Sequence, residues 1–212
     1  MLYKQIEKIP KETIKEKLEG FFQEDQTQED ITTNTVIDFK KEAKGLFIAE
    51  FSGVFCGINI IENGFSKNVK IKSLIQDGFK VKPDMPLAII QGPAHEILRK
   101  ERVILNLIQK MSGISTETNQ YASRGFRKNI RILDTRKTTP GIRIFEKYAV
   151  QCGGGTNHRF NLAKGVMIKD NHLSTGENIK QTLSKIKNLN TPIQIEVDTK
   201  VQLIESLNYN ID

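Results

Sequence analysis

Tryptophan is absent from the 212 residues, and cysteine and histidine are scarce, with two and three copies. Two cysteines as far apart as Cys56 and Cys152 do not make a disulfide framework, so both are expected as reduced thiols. Cys152 has no second cysteine near it in sequence and no ligand spacing, which favours a structural thiol over a nucleophile or zinc ligand. Long apolar runs are missing as well. None approaches the roughly 20 residues needed to cross a bilayer, and Met1 to Lys8 lacks the apolar core of a secretory signal. A cytoplasmic protein with no membrane partner is the expectation.

What is present is a lean globular composition, 38% hydrophobic and 7% aromatic, with a formal charge of +7. Lysine is scattered through every segment rather than gathered in a stripe with interleaved aromatics. Most of that charge is therefore solvated surface, and a nucleic-acid partner is not expected.

Periodicity divides the chain in two. Pro10 to Phe22 reads as a helix with an apolar stripe at Ile14, Leu18, Phe21 and Phe22. Residues 44–62 and 69–91 read as extended, punctuated by glycines and by turn signals at Asp77-Gly78 and Pro83-Asp84. Pro93 opens a helix to about Met111 that stops at Ser112-Gly113, and a polar helical stretch follows to Phe126. Beyond it the style alternates: strand at 130–133, helix near 143–150, strand at 165–168, helix at about 177–187, strand at 192–197, helix at 200–207. The expected fold class is α/β, with an N-terminal open-faced α/β sandwich over 1–112 and a parallel α/β barrel over 113–212. Three strand–helix units cannot close an eight-stranded barrel. The barrel is therefore expected to be incomplete, and the sequence to be a C-terminally truncated form.

Parallel α/β folds place their chemistry at the carboxyl ends of strands. Here each such end carries ionisable groups. Asp134-Thr135-Arg136-Lys137 follows the first strand, Lys169-Asp170-Asn171-His172 the second, and Glu196 and Asp198 end the third. Gly153-Gly154-Gly155 precedes Asn157-His158-Arg159; it is expected to be a tight turn presenting that pair rather than a phosphate cradle. Arg136, Lys137, His158, Arg159 and Lys169 describe a site for a compact, multiply negative ligand, since guanidinium groups grip carboxylates through paired hydrogen bonds. Glu196, a lone carboxylate among cations, suits a sugar hydroxyl or Mg²⁺. His172 reads equally well as a ligand contact or as a loop-ordering hydrogen bond.

Several runs, in order, resemble the quinolinate phosphoribosyltransferases: Asp30-Ile31-Thr32-Thr33, Gly92-Pro93-Ala94, Glu101-Arg102, Leu133 to Gly141, Glu146 to Val150, Asn157-His158-Arg159 and Ile168 to His172. That resemblance implies transfer of a phosphoribosyl group from phosphoribosyl pyrophosphate to quinolinate with decarboxylation. The products are nicotinate mononucleotide, pyrophosphate and CO₂, a step of NAD biosynthesis that uses Mg²⁺. It also implies a homodimer in which Arg102 reaches the partner's site. Thr135, Arg136, Lys137, His158, Arg159 and Lys169 would line the quinolinate pocket, and Glu196 would face the ribose or its metal. Lys137, Lys169 and Glu196 are the candidate catalytic groups. The late glycine-rich loops for the 5′-phosphate are expected to be missing. The rival reading is therefore a non-catalytic member that binds quinolinate or pairs with an intact subunit.

Overall fold

The computed structural model describes residues 2–126, 130–175, 178–186 and 188–212. They form two compact units, one of residues 5–156 and one of residues 1–4 with 157–212.

In the larger unit, helix α1 (Lys11–Glu24) buries Ile14, Leu18 and Phe22, the expected stripe at helical spacing. A short helix α2 (Ile31–Val36) follows, with the Asp30 side chain accepting a hydrogen bond from the Thr33 N–H at its start. Strands β1 (Glu42–Ile48), β3 (Lys70–Ser73) and β5 (Pro86–Pro93) make an antiparallel sheet in the order β1-β5-β3. Strands β2 (Gly53–Val54) and β4 (Lys80–Val81) form a separate antiparallel pair.

Three expectations need correction in this unit. The extended reading of 44–62 fails over Ile58–Gly64, which is helix α3. Its Ile60 and Ile61 are fully buried, and a short apolar run has no period that separates strand from helix. The deciding group is distant in sequence: the Asp77 carboxylate accepts from the N–H groups of Gly57 and Ile58 at 2.7 and 2.8 Å. Gly57 has φ +135°, and a Cβ there would meet Ile108 at 2.6 Å, so only glycine lets this turn approach the next helix.

That next helix, α4 (Ala94–Phe126), runs straight through Ser112-Gly113 where a stop was expected. Ile97, Ile104, Ile108 and Met111 form its buried stripe, which continues as Ser115 and Thr118. The Ser112 hydroxyl bonds the Cys56 backbone, and Ser115 donates to the Ala149 carbonyl at 2.7 Å. Neighbours on two sides outweigh the roughly 1 kcal/mol that an exposed glycine costs a helix.

Near the start of α4, Glu96 receives the Ser66 N–H at 2.5 Å and its hydroxyl at 2.7 Å, with Lys100 at 3.3 Å. Partial burial opposes ionisation, but the Ser66 bonds and Lys100 outweigh it and hold the carboxyl below the usual range. A depressed folded-state pKa stabilises above the ordinary glutamate range and is lost as pH falls through the folded value. The thermal midpoint of Glu96→Gln should therefore lie below the parent's at neutral pH, and the gap should close in acid. A gap that persists in acid would contradict this.

After α4, residues 130–133 do not form the expected regular strand. Among the described residues they make one parallel bridge, Leu133 with Thr156, carried by Asp134 N–H to Thr156 C=O and Thr156 N–H to Ile132 C=O. Thr156 leaves helix α5 (Arg143–Cys152) through the glycine turn, so one residue reaches the pairing line. Gly154 has φ +85°, and Gly153 and Gly155 sit against Ser115 and Thr118 of α4. The triplet is a tight turn, as expected.

The smaller unit holds a parallel pair, β6 (Val166–Ile168) and β7 (Ile193–Ile195). Helices α6 (Asp170–Leu173), α7 (Ile179–Ile186) and α8 (Lys200–Ser206) accompany it. The expected ends of the α7 helix, Glu177 and Lys187, lie outside the described residues. Ile168, Ile179, Leu183 and Ile193 form this unit's core.

Candidate active site

In the larger unit the site residues follow the Leu133 bridge. Thr135 Oγ1 accepts the Lys137 N–H at 3.0 Å, and the Arg136 carbonyl accepts from the Thr138 N–H at 2.8 Å, so the segment is a hydrogen-bonded bend. Thr135 and Lys137 are exposed and Arg136 is half-buried. The Arg136 Nε is buried and has no hydrogen-bond partner among the described residues. A buried guanidinium N–H without an acceptor is costly, and a carboxylate is a group able to relieve it. Arg102 is exposed on α4, outside this bend.

The bend is braced by helix α5 through groups that the sequence reading did not single out as partners. Lys147, 1% exposed, makes an ion pair with Asp134 at 2.5 Å, the Asp134 side chain being 5% exposed. Glu146 accepts the Thr139 N–H at 3.0 Å and its hydroxyl at 2.8 Å, and Arg143 Nε donates to Thr138 Oγ1 at 3.0 Å. The usable signal was Glu146-Lys147 lying between Phe145 and Tyr148-Ala149, all of them buried. Two adjacent charges inside an apolar stretch need partners.

In the smaller unit, Lys169 and Glu196 leave the carboxyl ends of the adjacent strands β6 and β7 and meet as an ion pair at 3.0 Å. Their side chains are 40% and 57% exposed, so this pair is solvated and open to exchange with a ligand. The Lys169 N–H donates to His172 Nδ1 at 2.9 Å, which gives His172 the loop-ordering bond. His158 Nε2 lies 2.6 Å from Gln194 Oε1, and the Tyr3 hydroxyl donates to the same oxygen at 3.1 Å. Arg159 is 6% exposed and donates to the Gly165 carbonyl at 3.0 Å.

The predicted residues thus fall into groups by unit: the bend of Thr135, Arg136 and Lys137 with Arg102 apart from it, and the strand-end pair Lys169 and Glu196 with His158 and Arg159 anchored nearby in sequence. Among the described residues, no helix is long and apolar enough to cross a membrane.

Comparison with known proteins decides what this arrangement belongs to. The model of the quinolinate phosphoribosyl transferase N-terminal domain matches residues 30–112, and that of the C-terminal domain matches residues 114–212. The chain belongs to the quinolinate phosphoribosyltransferase family. It is 39% identical over 200 residues to a "probable nicotinate-nucleotide pyrophosphorylase (carboxylating)" of Bacillus subtilis, covering 92% of this chain and 69% of that one. It is 36% identical over 189 residues to quinolinate phosphoribosyltransferase (decarboxylating) 1 of Nicotiana glauca, covering 85% of this chain and 53% of the relative. A solved nicotinate-nucleotide pyrophosphorylase from Francisella tularensis superposes with TM-score 0.91 at 32% identity, over 99% of this chain and 76% of that one. The chain therefore has the fold of this phosphoribosyltransferase family, and it spans about half the length of the plant relative.

Proposed function

We propose that this chain transfers a phosphoribosyl group from phosphoribosyl pyrophosphate to quinolinate with decarboxylation, giving nicotinate mononucleotide, pyrophosphate and CO₂. The observation that carries the reading is the Lys169–Glu196 pair at the ends of two neighbouring parallel strands, where such folds keep their reacting groups. The family of the chain supplies the reaction.

In this reading Arg136, with Thr135 and Lys137, binds quinolinate carboxylates, Arg159 and Lys169 add positive charge, and His158 adds orientation. The pyridine nitrogen attacks the anomeric carbon as the bond to pyrophosphate breaks. Lys169 releases Glu196 to the ribose side, where a carboxylate steadies the positive charge that develops on the sugar. The ring, now cationic, takes the electron pair of the breaking carbon–carboxylate bond, the carbon left behind takes a proton from water, and Lys137 and Lys169 hold the orientation that lets this happen. A half-exposed single carboxylate such as Glu196 fits Mg²⁺, which keeps water and phosphate oxygens as most of its ligands. Bound Mg²⁺ would neutralise charge on the departing pyrophosphate. A homodimer, with Arg102 serving the partner's site, and action in the cytoplasm complete the proposal; the two free thiols fit a reducing compartment.

The test is incubation of the purified chain with quinolinate, phosphoribosyl pyrophosphate and Mg²⁺, with chromatography for nicotinate mononucleotide. Its formation, dependent on all three, is the expected result. Quinolinate binding without product would instead assign a non-catalytic, quinolinate-binding member. Neither binding nor product would overturn both readings.

A further inference from the structure

Helix α5 ends at Cys152, and the turn into α3 begins at Cys56. Although distant in sequence, these two thiols are neighbours: Cys56 Sγ, Cys152 Sγ and an Asp77 carboxylate oxygen all lie within 4.8 Å of one another. Cys152 has no second cysteine near it in sequence, and the fold brings one beside it. Both are free thiols; Cys56 is fully buried and Cys152 half-buried. The partner groups are fixed. The Cys56 backbone is bonded to Ser112 of α4, and Asp77 is held by the Gly57 and Ile58 N–H groups and by the Tyr148 hydroxyl at 2.8 Å.

We propose that Cys56 and Cys152 form a modification site, a dithiol that a hydroperoxide converts to an internal disulfide with Cys152 reacting first. Access selects Cys152, since Cys56 has no exposed surface. Electrostatics agrees. The neighbouring Cys56 thiol draws the Cys152 pKa down, while burial and the Asp77 carboxylate oppose it, and the net direction is down. The same contact with Cys152, together with burial, pushes Cys56 up and keeps it protonated. A partly buried cysteine with a lowered pKa beside a thiol that stays protonated is the arrangement of an oxidisable pair.

The chemistry closes in two steps. The Cys152 thiolate attacks one peroxide oxygen; the O–O bond breaks, Cys152 becomes a sulfenic acid, and the other oxygen leaves as alcohol or water after taking a proton. The Cys56 sulfur then attacks the sulfenic sulfur, losing its proton, and the hydroxyl leaves as water. Two thiols give up two electrons and two protons, and the peroxide accepts them. The bond formed would tie the start of α3 to the end of α5, the helix whose Glu146 and Lys147 brace residues 134–139.

The experiment treats the reduced full chain with hydrogen peroxide, then counts thiols after denaturation and maps peptides without reduction. Both thiols should vanish, the mass should fall by two hydrogen atoms, and a Cys56–Cys152 peptide should appear that dithiothreitol reverses. In Cys56→Ser, Cys152 should stop at a sulfenic acid trapped by dimedone. In Cys152→Ser, Cys56 should react at least about tenfold more slowly than Cys152 does in the parent, given its burial. Survival of both thiols, a sulfinic Cys152 beside an intact Cys56, or a disulfide between two chains would each overturn the proposal. If the buried Cys56→Ser fails to fold, the parent's peptide map alone decides. Quinolinate binding is not needed for this readout, so the outcome is separate from that of the proposed activity.

Discussion

Replacing Arg136 with alanine should weaken quinolinate binding by about 100-fold to 1,000-fold and leave the thermal midpoint unchanged. The reason lies in the unliganded chain. Arg136 Nε is already buried without an acceptor among the described residues, so its removal takes away no hydrogen bond seen at that atom. The loss falls on the complex. A hydrogen bond to a charged group contributes about 1.5–3 kcal/mol; two, made as a fork on one carboxylate, give about 3–4 kcal/mol after partial exposure is allowed for. Each 1.4 kcal/mol is about tenfold in affinity. Arg136→Lys keeps the charge and loses the fork, so its affinity should fall between those of the parent and the alanine variant. Calorimetric titration with quinolinate, beside a thermal melt, separates the two effects. Parent-like affinity in Arg136→Ala would remove Arg136 from the site, and a collapsed midpoint would make it a structural residue.

The second large effect is on stability. Lys147→Met should destabilise the larger unit by about 3–5 kcal/mol, because it strands the Asp134 carboxylate in a site that water scarcely reaches. For a unit of this size, that is a drop in the melting midpoint on the order of 10 °C. The change is not a simple loss of attraction. Substituting both partners with apolar residues, Asp134→Leu with Lys147→Met, removes the buried charge altogether and should recover much of the loss. A single variant that melts with the parent, or a double variant worse than the single, would show that the pair is not the source of stability. The double variant should still bind quinolinate poorly, since Asp134 opens the bend that carries Thr135, Arg136 and Lys137 and α5 fixes its other end through Glu146.

Helix α1 and the first half of α4 were legible because a half-buried helix writes its burial every three to four residues, as Ile14-Leu18-Phe22 and Ile97-Ile104-Ile108-Met111 do. The stop at Ser112-Gly113 was misread because the buried stripe changes there from large apolar side chains to Ser115 and Thr118, whose small polar groups read as surface. The helix at 58–64 was hidden in an apolar run, and its capping carboxylate comes from Asp77, beyond any local window. Residues 130–133 have strand composition but, among the described residues, find one bridging partner.

The sequence by itself determined the order of the chemical motifs, the family they spell, and the placement of Lys169 and Glu196 at strand ends. These follow from residue type and local period, which are properties of short segments. Only tertiary structure decided which groups meet: Lys147 with Asp134, Asp77 with the backbone at the start of α3, His158 with Gln194, and Cys56 with Cys152. Such pairs form where elements distant along the chain are driven together by burial, and the spacing between the partners in sequence carries no period that could announce them.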